Sequence, residues 1–236
     1  MLWFVWKARN NSIFKAKQPD PNTIVDLAQA HLQNFNRWQN KKEVGKPPNP
    51  NSPRRWIPPE RGLLKLNVDG SWVHGEQVGS IARILRDHAG QLIDGFAQQV
   101  RASSPLQIET LAILEGLKFL QFREQLHVGE MEVDKVHQGQ LVCETGSLSA
   151  EQNITGRAEP SWTVKPIVEQ CRNLLSNSES MTLTYCLREA NNAADLIAKM
   201  HQTSSLPQRW KSSPPPVLSE ILCVESYLST SCNFRT

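Results

Sequence analysis

The chain has 236 residues, of which 39% are hydrophobic and 7% aromatic, and its formal net charge is +3. This length suits one domain of roughly 100 to 200 residues with extensions. No run of about 18 apolar residues occurs, so the sequence predicts no membrane span. Five widely spaced cysteines without a Cys-x-x-Cys pair argue against a disulfide framework and against a zinc site. We therefore expect an intracellular protein of a reducing compartment, either nuclear or cytoplasmic.

The charge is divided unevenly along the chain. Residues 1–61 hold 11 Lys and Arg against 4 Asp and Glu, whereas residues 62–201 hold 12 against 17. A basic arm thus precedes an acidic body. Such an arm either attracts polyanions by long-range electrostatics or is simply solvated.

Composition divides the chain into four segments. Residues 1–40 predict an N-terminal helical segment, because apolar side chains recur there at spacings of three and four. Residues 41–59 are rich in Lys, Pro, Asn and Arg and predict an extended basic linker outside any packed core. Residues 60–201 form the globular domain, and residues 202–236 a Ser/Pro-rich tail. The apolar patch of this tail docks either on the domain or on a neighbour.

The domain opens with an alternating stretch over 62–71, in which apolar and polar side chains take turns. This pattern is typical of a half-buried strand. The strand delivers Asp69 to its end, where Gly70 and Ser71 turn the backbone. A carboxylate at the rim of a sheet is well placed for binding or catalysis, although Asp-Gly is also an ordinary turn dipeptide.

The elements that follow alternate between strands and helices. Strands over 78–85 and 91–100 form an antiparallel meander with the first strand. Ser104, Pro105 and Gln107 have the chemistry of a helix start, and the helix should run to about residue 122. The remaining predictions are a strand over 128–134 parallel to the first, a short helix over 135–145, a polar loop over 146–161, a helix over 164–175, a strand over 181–187 and a helix over 191–201.

Acidic residues fall at four places in this pattern: the end of strand one, the first long helix, the end of strand four and the first turn of the last helix. They are Asp69, Glu109, Asp134 and Asp195. Together with flanks such as Trp56-Ile-Pro-Pro and Arg188-Glu-Ala-Asn, they resemble the ribonuclease H family, in particular the plant branch of type 1 domains found in non-LTR retroelements. The resemblance implies an α/β domain of ribonuclease H-like fold. Its five-stranded mixed sheet has three antiparallel strands followed by two parallel ones, and helices flank it.

The resemblance also implies an activity. The four acids would hold two Mg²⁺ ions, for which Mn²⁺ can substitute, and the protein would hydrolyse the RNA strand of an RNA–DNA hybrid. Magnesium prefers oxygen ligands, and paired ions suit an in-line displacement at phosphorus. Gly70 and Ser71 are candidates for contacting the scissile region, and Arg54, Arg55 and Arg61 for contacting phosphates.

Several departures from the family pattern keep other hypotheses open. Lys135 follows the third acid where the family usually has Ser, small residues at Ser80 and Ala82 replace a glycine pair, and Tyr185 stands where a histidine is frequent. The alternative to an active endonuclease is therefore a catalytically weak or inactive nucleic-acid-binding remnant of a retroelement domain. A third hypothesis, suggested by the N-terminal tryptophans and the apolar tail, is a protein-interaction module whose partners are unknown.

Overall fold

A mixed sheet of five strands organises the part of the chain that the computed structural model describes: residues 54–129 and 140–232, with Ser12, Asp20, Pro21 and Val25. The strands are β1 (Leu64–Ser71), β2 (Val78–Arg86), β3 (Leu92–Arg101), β4 (Leu141–Thr145) and β5 (Met181–Tyr185). Their order across the sheet is β3-β2-β1-β4-β5. The first three pair antiparallel, whereas β4 runs parallel to both β1 and β5. The predicted sheet is therefore confirmed.

Five helices and a 3-10 turn lie between or after these strands in the described residues. They are α1 (Pro105–Gly129), α2 (Leu148–Ile154), α3 (Lys165–Ser176), the 3-10 turn Arg188–Ala190, α4 (Asn192–Gln202) and α5 (Pro216–Cys232). The start of α1 has the predicted chemistry, since the Ser104 hydroxyl accepts from the Gln107 N–H at 3.2 Å and the Gln107 side chain accepts from the Ser103 N–H at 2.7 Å. No described helix is both long and apolar enough to cross a membrane.

Helices cover both faces of the sheet. On one face, α1 and α3 pack over a core that includes Leu66, Val68 and Leu117. On the other face, α4 packs over β1 and β2 around Ile84 and Ile197. Both faces of the central strand β1 are thus buried.

The prediction fails between residues 128 and 161. Helix α1 continues to Gly129, so a strand over 128–134 is wrong at its start, and Asp134 lies outside the described residues. The fourth strand is instead β4, where a short helix was expected, and α2 lies in the predicted loop. The physical reason is that a parallel strand covered on both faces needs no alternation of polar and apolar residues, so β4 lacks that pattern. The residues after Val128 do alternate, and this pattern predicted a strand there.

The segment after residue 201 folds onto the domain. Leu218 of α5 is fully buried, and Trp210 packs against the same core as Ile84. Gly95 of β3 makes room for the Trp210 ring, which would overlap with any Cβ at that position. Of the two docking sites considered for the apolar tail, the structure shows the domain itself. Trp56, expected in a linker outside the core, is also buried.

The N-terminal predictions mostly lie outside the described residues. This holds for the helical segment over 1–40, apart from four isolated positions, and for residues 41–53 of the linker. Residues 51–236 form one compact unit.

Candidate nucleic-acid and cation site

The end of β1 and the start of α1 meet at a contact that leaves no room for a side chain. A Cβ on Gly70 would lie 2.9 Å from the carbonyl carbon of Ile108, in the backbone of α1. Glycine therefore lets the helix approach the strand closely. The neighbours of these two residues, Asp69 and Glu109, are brought together as a consequence. The Gly70 N–H also donates to the Glu109 carboxylate.

The electrostatics of this pair reflect its burial. Asp69 is 8% exposed, and burial together with the charges of Glu109 and Asp195 raises its pKa to about 9. Burial likewise raises the pKa of Glu109 to about 7, while the positive charge of Arg188 acts in the opposite direction. A bound cation would neutralise this pair and lower both pKa values, because an opposite charge nearby favours the ionised carboxylate.

Asp195 completes the acidic part of the site from the first turn of α4. Its negative charge raises the pKa of both Asp69 and Glu109, so it lies within their electrostatic reach. It is more exposed than they are, and its carboxylate pairs with the Lys199 ammonium at 2.6 Å. The structure thus brings together three of the four predicted acids.

The remaining predicted acid belongs at the end of the fourth strand, which is β4. Val68 of β1 lies opposite Thr145 of β4 in the parallel ladder, and the residue after Thr145 is Gly146, which carries no side chain. A Cβ at Gly146 would lie 3.4 Å from Asn191 Nδ2 and 3.7 Å from Arg188 Cγ, both ordinary contact distances. The strand end next to Asp69 therefore has room for a Cβ but supplies no carboxylate.

Sequence reasoning missed the amide that holds Asp69. Asn191 precedes α4, and its Nδ2 donates to Asp69 Oδ1 at 3.1 Å and to the Val68 carbonyl at 3.0 Å. Its Oδ1 accepts from Asn67 Nδ2 at 3.1 Å. Asn67 is a polar position of the alternating first strand, yet it is fully buried. The available signal was the Asn of the Arg-Glu-Ala-Asn motif.

The predicted nucleic-acid contacts divide into two groups. Gly70 and Ser71 end β1 directly beside the acids. Arg54, Arg55 and Arg61 are exposed and precede β1. Because a strand rises about 3.3 Å per residue, these arginines lie at the far end of β1 from Asp69. A contact between them and phosphates stays a prediction, and it concerns phosphates distant from the acidic site.

The donor set fits one divalent cation. Magnesium commonly takes one or two carboxylates, and Asp69 and Glu109 offer two, with the buried Oε2 of Glu109 lacking a hydrogen-bond partner in the described part of the chain. Across residues 54–129 and 140–232, no group of three or more His, Cys, Asp and Glu side chains has the arrangement of a metal site.

Comparison with known proteins supports a family assignment. The sequence profile of a family described as reverse transcriptase-like matches residues 67–201, more than half of the chain. The chain belongs to this reverse transcriptase-like family. The match runs from Asn67 on β1 to the end of α4 and includes Asp69, Glu109 and Asp195, so it spans the site.

A curated relative agrees with this assignment. A protein of Arabidopsis thaliana, provisionally named a ribonuclease H protein, is 25% identical over 231 residues, which are 98% of this chain but 35% of that protein. The chain thus spans about a third of that relative's length.

Two solved structures share the fold of this reverse transcriptase-like domain. LC11-RNase H1 in complex with an RNA/DNA hybrid gives a TM-score of 0.50 at 15% identity, covering 60% of this chain and 98% of that chain. LC11-RNase H1 isolated from compost by a metagenomic approach gives 0.50 at 14% identity, covering 61% and 98%. Together the comparisons confirm a ribonuclease H-like domain, as the sequence motifs predicted.

Proposed function

We propose that this domain binds RNA paired to DNA, holds one divalent cation between Asp69 and Glu109, and hydrolyses the RNA slowly or not at all. The observation that carries the proposal is Gly146 at the end of β4. The four-acid hypothesis requires a carboxylate at this strand end, and glycine provides none.

The chain's own charges explain why a cation matters for binding. Residues 62–201 hold 12 basic against 17 acidic residues, so the site repels a polyanion. A bound cation would neutralise the acidic pair and contact a phosphate oxygen. Asp69 and Glu109 would hold it, while Arg188, whose charge acts on both, offers donors suited to phosphate. A hybrid is recognised by its shape and its 2′-hydroxyls rather than by base readout.

The second candidate is the metal-dependent endonuclease that the sequence predicted, with two Mg²⁺ ions hydrolysing the RNA strand. The proximity of Asp69, Glu109 and Asp195 favours it. This candidate needs another carboxylate at the site. Asp134, which lies outside the described residues, is the predicted source.

A cleavage and binding experiment separates the two candidates. A labelled RNA–DNA hybrid is incubated with Mg²⁺ and wild-type protein, Asp69→Asn, Asp134→Asn or Gly146→Asp, with Gly146→Ala as the matched control. A Cβ at position 146 makes only ordinary contacts, so Gly146→Ala should fold, and a thermal melt checks that Gly146→Asp folds as well. We expect wild-type protein to bind the hybrid but cleave it near background. Gly146→Asp should raise cleavage, tenfold for about each 1.4 kcal/mol by which the new carboxylate lowers the barrier, and Asp134→Asn should change nothing.

Two outcomes would contradict this expectation. Rapid wild-type cleavage that is lost in both Asp69→Asn and Asp134→Asn would establish the endonuclease. A folded wild-type protein that does not bind the hybrid, with or without Mg²⁺, would refute both candidates and favour the protein-interaction hypothesis.

A further inference from the structure

A buried arginine lies beneath the site and is anchored by elements distant in sequence. Arg86, the last residue of β2, is fully buried. Its guanidinium carbon lies 3.7 Å from the centre of the Trp56 ring, and its Nη1 forms an ion pair with Glu225 of α5. Trp56, which precedes β1, and Glu225 of α5 therefore both hold the Arg86 guanidinium in one position.

The arginine determines the orientation of Asn67. The two ends of an amide group are nearly identical in shape, so its partners decide which end faces which. A guanidinium only donates, and Arg86 Nη2 lies 2.8 Å from Asn67 Oδ1. The amide nitrogen of Asn67 consequently faces away from Arg86, and it donates to Glu144 Oε2 at 3.0 Å and to Asn191 Oδ1 at 3.1 Å.

The same logic extends to the site carboxylate. Because Asn67 presents a donor, Asn191 must present its oxygen to Asn67 and its nitrogen to β1 and Asp69. Arg86, which only donates, fixes the polarity of this chain of bonds at one end, and the Val68 carbonyl and the Asp69 carboxylate, which only accept, fix it at the other. Were it reversed, an amide oxygen would face the Asp69 carboxylate and repel it.

We propose that Arg86 is a positioning residue for the site, acting through Asn67 and Asn191 to direct an N–H donor at Asp69. This inference deepens the proposed function, because it rests on Asp69 being a site carboxylate. Outer partners that orient ligating groups typically change metal affinity by about 10- to 100-fold when they are altered.

The test uses Asn67→Asp, a change that preserves shape but removes the donor. One oxygen of the new carboxylate still accepts from Arg86, while the other faces the Glu144 carboxylate and the Asn191 amide, of which only the amide has a donor to offer. The new carboxylate therefore competes with the Val68 carbonyl and Asp69 for the Asn191 NH₂ group. We expect the Asn191 amide to turn over in a fraction of the molecules, which the side-chain NH₂ resonances and contacts of Asn191 in the cation-free protein report directly. Mn²⁺ affinity, followed by the electron paramagnetic resonance of the free ion, should fall by about 10- to 100-fold.

Two further variants control the experiment. Arg86→Lys keeps the charge opposite Glu225 but loses the planar fork that also reaches Asn67, so it should weaken Mn²⁺ binding in the same direction, and it decides the question if Asn67→Asp does not fold. Arg83→Lys is the matched control, since Arg83 lies on the same strand between the rings of Phe96 and Phe119, at 4.5 and 4.0 Å from their centres. It should leave Mn²⁺ affinity unchanged.

The proposal is overturned if Asn191 keeps its NH₂ group toward Asp69 in a folded Asn67→Asp protein. It is also overturned if the folded variants bind Mn²⁺ within twofold of wild type. The Asn191 measurement requires neither cation nor hybrid. A wild-type protein that binds neither therefore contradicts the proposed function without deciding this inference, which the amide orientation then decides alone.

Discussion

The ion pair between Arg86 and Glu225 allows a quantitative prediction. Its side chains are only 1% and 8% exposed, so Glu225→Ala leaves a guanidinium in the core without its counter-charge. Removing one partner of such a pair costs about 3–5 kcal/mol. For a domain of about 150–250 residues, each kcal/mol lowers the melting temperature by about 2–4 °C. We expect Glu225→Ala to melt about 6–20 °C below wild type.

The assay is a double-mutant cycle of Arg86→Met, Glu225→Leu and their combination, measured beside Glu225→Ala by urea and thermal denaturation. The double variant Arg86→Met with Glu225→Leu replaces the pair by apolar groups and should recover most of the lost stability, since such replacements are often neutral. Lys118→Ala is the exposed control, because its pair with Glu115 is 48% and 32% exposed and should contribute less than about 0.5 kcal/mol. A loss below about 1 kcal/mol in Glu225→Ala, or a double variant as unstable as the sum of the single ones, would refute the reasoning.

The double variant also separates stability from positioning. It should fold, yet it lacks the donor that orients Asn67, so its Mn²⁺ affinity should stay reduced. Recovery of both stability and affinity would contradict the role assigned to Arg86.

Two further predictions concern the acidic pair itself. Gly70→Ala would place a Cβ 2.9 Å from the backbone of Ile108. It should lower the free energy of unfolding by about 1–3 kcal/mol in urea denaturation and weaken Mn²⁺ binding. Gly146→Ala, whose nearest contact is at 3.4 Å, should change neither. In EDTA, the folded protein should retain protons between pH 4.5 and 9 that the unfolded chain has released, because the pKa values of Asp69 and Glu109 are raised to about 9 and about 7. Its stability should therefore fall as pH rises through this window, by at most about 1.4 kcal/mol per pH unit for each proton. A flat thermal-melting profile, or one unchanged by Asp69→Asn, would contradict the assignment.

Local chemistry predicted much of the fold. The alternation of β1, the turn after Arg86 and the capping residues before α1 act within a few residues of one another, so the sequence displays them directly. Each of these signals is short in range and has one physical cause. The meeting of Asp69, Glu109 and Asp195, in contrast, was implied by the resemblance to the ribonuclease H family rather than by local chemistry.

The features that the sequence did not predict depend on contacts between distant segments of the chain. Lys65 and Asn67 look solvent-exposed in the sequence, but α4 packs against β1 and both side chains are buried. Lys65 instead pairs with Glu144 at 2.7 Å, a residue of the strand that was predicted as a helix. The place of Gly146 could not be predicted either, because it follows from the true position of β4.

The distance along the chain between Arg86 and Glu225 has a consequence for biosynthesis. The two residues are 139 positions apart, and a ribosome adds about 5–20 residues per second. Arg86 is therefore made about 7–28 s before its counter-ion. During this interval the face of the sheet that α5 covers lacks this helix, and nascent domains with exposed apolar surface are prone to aggregate. The apolar side chains around Ile84 are therefore covered by Leu218 only after α5 has been made.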